Sequence, residues 1–140
     1  MKKFLILIGF VVAYSCGLYH GSQISETPHF QLVKVHDGDT IIVNITNWPK
    51  IIGYHIPIRL KNINAPELNE PSEKGKVLAL KAKTFAEEKL RGSFQIQNLE
   101  RDKYFRLRAN VIVHGKDLSE LLLKAGLAKE YHGEKRSEWH

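Results

Sequence analysis

The stretch LVKVHDGDTIIVNI, residues 32 to 45, sets two carboxylates between two runs rich in β-branched residues. Asp37-Gly38 at such a junction is ordinary hairpin chemistry, because Gly accepts a positive φ without steric cost and Asp bonds its own backbone. A second acid, Asp39, followed by Thr40 at the foot of the next strand, is more than a turn requires. Oxygen-only ligands fixed at a strand end suit a hard cation such as calcium. Arginines are the other residues with chemical reach. In YHIPIRLKNI, Ile56, Ile58 and Leu60 alternate with Pro57, Arg59 and Lys61, which turns Arg59 away from the core side. In RLRANVIV, Leu107, Ala109, Val111 and Val113 share one face, and Arg106, Arg108 and Asn110 share the other.

Other chemistries find less support. Seven histidines are spread along the chain with no HExxH or other compact metal spacing, so a zinc or histidine-based site is not expected, and His36 reads as a polar strand residue. Cys16 is the sole cysteine, which excludes an intramolecular disulfide and leaves a Cys-ligated zinc site or thiol nucleophile without support. The chain has 140 residues, 43% hydrophobic and 26% charged, which suits one small globular domain and excludes wholesale disorder. Lys and Arg number 21 against 15 Asp and Glu, a net charge of +6 that favours polyanionic partners such as nucleic acid or anionic lipid.

Five strands and two helices must position these groups. The hairpin of residues 30 to 46 is followed by the turn-rich TNWPKIIG, a third strand around Ile56 to Leu60, and the loop NINAPELNEPSEKG. A helix then runs to about Arg91, with Leu78, Ala82, Phe85, Ala86 and Leu90 as one apolar stripe. Strands SFQIQNLE and RLRANVIV follow, joined by RDKYF. The last helix starts at Asp117 as N-cap, carries Leu118, Leu121, Leu122 and Ala125, and stops at Gly126, with Glu120 at the capping-box position. Three strands, a helix, two strands and a helix is the order of a five-stranded OB-fold Greek-key barrel with two packed helices.

The first 25 residues stand apart from that domain, which is expected over residues 26 to 140. MKK is a short basic start, and FLILIGFVVAY is an apolar run of secretory-signal length, short of the about 20 residues that span a bilayer. Export is the expectation: a secreted or periplasmic protein after ordinary cleavage, or a lipoprotein if cleavage falls before Cys16 and that thiol is lipidated. An uncleaved membrane anchor is the third option.

VKVHDGDTIIVNI, IRLKNINAPE and RDKYFRLRANVIVHGKDLSELLLKAGLAKEY, in order and with similar spacing over roughly residues 30 to 131, together resemble the staphylococcal nuclease (thermonuclease) family. The ending YHGEKRSEW resembles its short version, without a long final helix. The resemblance implies an OB-fold barrel, calcium as cofactor and hydrolysis of phosphodiester bonds in DNA and RNA, single strands preferred. It implies that Asp39 is a metal ligand, with Asn64, the Ala65 backbone and Thr40 beside it. Arg59 and Arg106 match the catalytic arginines, Glu67 the carboxylate that orients or deprotonates water, and Lys103 and Tyr104 the groups near bound nucleotide; Tyr131 is a further nucleotide-binding candidate. The pattern departs from the family at Asn64, where Asp is common, and at Phe105, where Gly is usual before the arginine. Asn offers an oxygen without a charge, so calcium is expected to bind more weakly.

These roles make chemical sense together. Attack on a phosphodiester builds negative charge on the phosphoryl oxygens, which a cation and two planar guanidiniums stabilise better than a single charge does. Two readings compete with the enzyme: a catalytically weak or inactive module that grips single strands without cutting them, and a structural lipoprotein whose basic face meets anionic polymer. Dependence on Glu67 and on a divalent ion separates the enzyme from both. No protein partner is implied, and a monomer is expected.

Overall fold

In a computed structural model, residues 27–133 and Trp139 are described. The expected signal segment, Cys16 with its expected lipidation, and tail residues 134–138 and 140 lie outside the described residues.

Strand β1 (Phe30–Asp37) and strand β2 (Thr40–Ile45) form the expected hairpin, with Asp37 opposite Thr40 and only Gly38 and Asp39 between them. A register shift between Leu32 and Lys34 breaks the simple alternation. It turns Val33 outward at 39% exposure while Val35 stays buried at 2%, so the two valines do not share a face. The turn-rich stretch after β2 contains a single helical turn, α1 (Lys50–Gly53), whose first turn follows Pro49 and carries no side-chain cap. Pro fixes φ near a helical value and lacks an N–H that would go unpaired there, which favours such a start.

Strand β3 (Ile56–Leu60) pairs antiparallel with β2, bringing Thr40 opposite Arg59. A short strand β4 (Ile63–Asn64) precedes helix α2 (Glu73–Lys89), and β5 (Phe94–Arg101) and β6 (Leu107–Val113) follow. Strand β7 (Lys116–Asp117), helix α3 (Leu118–Lys124) and strand β8 (Lys129–Glu130) complete the order. The main sheet runs β1-β2-β3-β6-β5, a five-strand path curled into a half-barrel, with β7 on β6 and a separate β4-β8 pair. Only β3 and β6 are parallel in that path. Three helices are present among the described residues, the third beyond the two expected being the turn α1.

Helix α2 begins at Ser72, whose side chain accepts from Gly75 N–H at 3.0 Å. Of the expected stripe, Ala82, Ala86 and Leu90 are buried, Phe85 packs against the core's edge and Leu78 is half-buried, while Gly75 and Ala79 join the buried face. Small residues let the helix axis approach the hairpin closely. A Cβ placed on Gly38 would stand 2.6 Å from the Ala82 Cβ and 2.8 Å from the Ala65 Cβ, so the helix and the β4 loop both rest on the acidic turn. The core of Ile41, Val43, Ile58, Leu60, Val111 and Leu122 thus clamps the segment that carries Asp39. Helix α3 has the expected Asp117 cap, accepting from Ser119 N–H at 2.8 Å, and Gly126 follows it at φ 67°.

Candidate active site

Asp39 is 2% exposed and held from three sides. Its Oδ2 accepts from the Ala65 N–H at 2.7 Å and pairs with Arg59 Nη2 at 3.0 Å; its Oδ1 accepts from the Thr40 hydroxyl at 3.0 Å. Arg59 also donates to Asn64 Oδ1 at 3.0 Å. The backbone that presents Asp39 is fixed by Asp37, whose Oδ1 accepts from the Asp39 N–H at 3.1 Å. Asp39, Thr40, Arg59, Asn64 and Ala65 therefore form one cluster, drawn from the β1-β2 turn, the start of β2, β3, β4 and the residue after it. Glu67 lies two residues past Ala65 in the same loop, half-buried, with its N–H donating to Glu70 Oε1 at 3.3 Å. It is not among the residues lining the cleft described below.

Burial pushes the Asp39 carboxyl up to about 6 from 3.8; the Arg59 guanidinium opposes the rise, the Asp37 carboxylate adds to it, and the Ala65 N–H and Thr40 hydroxyl oppose it. The folded protein thus binds this proton more tightly than the unfolded chain. Asp39 favours folding fully at pH below about 4 and loses that contribution as pH rises to about 6, on the order of 2–3 kcal/mol in all. In urea denaturation, the stability of wild type minus that of Asp39→Asn falls by that amount between pH 4 and pH 6.5 and is flat above. A difference that is constant over the range contradicts the buried, proton-seeking carboxylate.

Arg59 joins this cluster to an open cleft of about 340 Å³ on the outer face of the sheet. The cleft is lined by Arg59, Lys61, Arg101, Asp102, Lys103, Tyr104, Arg106, Arg108, Tyr131 and His132, among others. Arg106, Lys103, Tyr104 and Tyr131 thus come together with Arg59, whereas Asp39 and Asn64 sit behind it. Arg106 is held by Asp102 through Nε at 2.8 Å and Nη2 at 2.7 Å, and lies 5.2 Å from the Tyr104 ring centre. Lys103 Nζ stands 5.1 Å from the same ring. Partial burial raises the Asp102 carboxyl, but bonds from the Arg106 backbone and side chain and from the Tyr104 N–H outweigh it and hold the group below its ordinary value.

Phe105 occupies the left-handed region at φ 66°, a conformation that costs an L residue about 1–2 kcal/mol and that Gly adopts freely. The turn is retained through other means. Phe105 N–H donates to the Asp102 carbonyl at 2.9 Å, Arg101 Nη1 donates to the Phe105 carbonyl at 2.8 Å, and the Arg101 guanidinium lies 4.9 Å from the Phe105 ring centre. The substitution for Gly therefore leaves Arg106 aimed into the cleft.

Sequence reading passed over Asp102, Lys61 and Glu100. Asp102 was detectable as the first residue of an Asx turn, since Asp bonds N–H groups two and more residues on; Lys61 and Glu100 gave no signal, because their meeting depends on which strands pair.

A curled β1-β2-β3-β6-β5 sheet with a helix between β4 and β5 defines an OB-like α/β domain, here with a buried carboxylate backing a guanidinium-lined cleft. The family model for staphylococcal nuclease homologues matches residues 57–140, and the chain belongs to that family. The matched stretch contains Arg59, Asn64, Ala65, Glu67, Lys103, Tyr104, Arg106 and Tyr131; Asp39, in the β1-β2 turn, and Thr40, the first residue of β2, precede it. No curated protein matches the chain.

Proposed function

We propose that this protein is an exported, calcium-dependent nuclease that hydrolyses phosphodiester bonds in DNA and RNA, with single strands as the preferred substrate. The observation that carries the reading is Arg59, which pairs with the buried Asp39 at 3.0 Å on one side and lines the cleft shared with Arg106 on the other.

The residues fit a hard cation. Among the described residues no group of three or more His, Cys, Asp or Glu gathers at one point; the oxygens nearest the buried carboxylate, those of Asp39, Asp37, Asn64 and Thr40, would hold the ion, with Arg59 Nη2, which bonds Asp39 and Asn64, giving way to it. A carboxylate whose charged form is disfavoured by burial and by a neighbouring acid is one that a bound cation would restore to its charged form. Calcium, when bound, supplies positive charge toward the phosphoryl oxygens.

The chain's own groups do the rest. Arg59 and Arg106 bond the non-bridging oxygens of the phosphate and strengthen their grip as charge builds there. Glu67 positions a water and accepts its proton as the oxygen attacks phosphorus, the opposite P–O bond to a sugar oxygen breaks, and that leaving oxygen takes up a proton from solvent. Tyr104, 67% exposed, and Tyr131 offer ring faces to unstacked bases, which favours single strands, and Lys103 adds charge for the backbone. Export rests on the basic start and apolar run of the first residues, with Cys16 deciding between a lipid-anchored and a soluble form; the mass of the mature N-terminus distinguishes them.

A grip without cleavage is the second reading, and Asn64 favours it, since its oxygen accepts from Arg59 and brings no charge. Asn64→Asp separates the two. Adding a carboxylate beside Asp39 lowers the calcium concentration for half-maximal cleavage of single-stranded DNA by about tenfold. A wild type that binds DNA and never cuts it supports the binding module instead, and a half-maximal concentration unchanged in the variant removes Asn64 from the calcium site.

A further inference from the structure

Beside Arg59 and Arg106 the cleft holds a second set of cations that the hydrolytic roles do not use. Parallel pairing of β3 with β6 sets Arg59 directly opposite Arg108. Neighbouring strands lie about 4.8 Å apart, so the two guanidiniums leave one face side by side. Arg106 stands just before β6, two residues ahead of Arg108, and Lys61 just after β3, two residues past Arg59, so the Lys61 and Arg108 pair lies further along the cleft than the Arg59 and Arg106 pair. The Lys61 N–H donates to the Ala109 carbonyl at 3.1 Å, which carries the β3-β6 register on past Leu60. All four cations line the cleft.

Glu100 on β5 closes this second set. Its Oε1 accepts from Arg108 Nε at 2.6 Å and its Oε2 pairs with Lys61 Nζ at 3.1 Å. The hydrogen bond from Lys61, with that from Arg108, holds the Glu100 carboxyl below its ordinary value. The Lys61 side chain is only 13% exposed, whereas those of Arg108 and Glu100 are 45% and 43% exposed. A sheltered ammonium and a guanidinium thus converge on two oxygens of one oxyanion that solvent can reach, as they would on a phosphate.

We propose that Lys61 and Arg108 form a second phosphate subsite, one nucleotide along from the phosphate between Arg59 and Arg106, and that Glu100 occupies it until a polynucleotide displaces it. The proposal rests on reading the cleft as a phosphodiester site. It specifies the substrate as a chain with at least two phosphates rather than a mononucleotide. The Arg108–Glu100 pair, exposed on both sides, contributes little in water, and the arriving phosphate restores a negative charge to both Arg108 and the sheltered Lys61.

Equilibrium binding of the full chain in chelator, where no strand is cut, tests this with two probes, a fluorescent single-stranded octanucleotide and a nucleoside monophosphate as competitor. In the doubly substituted Lys61→Gln, Arg108→Gln protein, octanucleotide affinity falls about tenfold, and the slope of log affinity against log salt decreases by about 1.4, two contacts at about 0.7 each. Affinity for the monophosphate stays within about twofold. Glu100→Gln, at an exposed position, raises octanucleotide affinity severalfold and serves as an independent reading should the double variant misfold. An octanucleotide affinity indifferent to Glu100→Gln, or a loss in the double variant that the monophosphate shares equally, overturns the subsite. A wild type that binds neither probe overturns the phosphodiester reading itself, and the subsite with it.

Discussion

Glu67→Gln lowers the rate of single-stranded DNA cleavage roughly a hundredfold or more while leaving affinity for DNA within about twofold. Gln keeps the length and the hydrogen-bonding shape of Glu but does not accept a proton at neutral pH. The Glu67 N–H bond to Glu70 and the Ala65 N–H bond to Asp39 are both backbone-donated and do not involve the substituted group. Rate and affinity therefore separate. Single-turnover cleavage measured beside anisotropy gives both, and an equal loss in each would assign Glu67 to binding rather than to proton transfer.

Arg106→Ala produces the second large effect, a fall of about 10²–10³-fold in turnover with a smaller change in affinity, because removing a donor that acts on developing charge costs most at the transition state. The fold tolerates this change. Arg106 is 47% exposed, and Asp102 keeps its backbone bonds from Tyr104 and residue 106 at 2.8 and 2.9 Å. Arg106→Lys restores the charge but not the planar fork, and recovers only part of the rate. Arg59→Ala is a poorer probe. Its loss leaves Asp39 buried without its counter-charge, at a cost of about 3–5 kcal/mol to the fold, so rate and stability fall together.

The contrast between these two arginines shows what the sequence made legible. Alternation placed Arg59 on the polar face of β3 and Arg106 at the head of β6's polar face, and the Asp-Gly turn placed Asp39 at a strand foot, since each of these follows from a period-2 pattern or a local bond. Which arginine is tied to which acid does not follow. Arg59 meets Asp39 only because β2 and β3 pair with Thr40 opposite Arg59, and Arg108 meets both Arg59 and Glu100 only through the parallel β3-β6 and antiparallel β5-β6 registers. Long-range pairing leaves no trace in local periodicity.

In helix α2 most of the expected stripe is buried, Ala82, Ala86 and Leu90 fully and Phe85 at the core's edge, but the hairpin turn beneath the helix admits only small side chains, so Gly75 and Ala79 join the buried face while Leu78 is half-buried. A bulge turns Val33 outward, because it reverses the face of a strand without altering its composition. Phe105 at a position suited to Gly is held by Arg101, a residue four positions away whose guanidinium no motif marks.

The most direct test of the account follows one sample of the full-length wild type with labelled single-stranded DNA, reading bound fraction and strand length together, first with calcium and then after chelator. The account predicts progressive shortening of the strands in calcium and its arrest on chelation. DNA that is bound yet remains full-length across the whole range of calcium concentrations contradicts it.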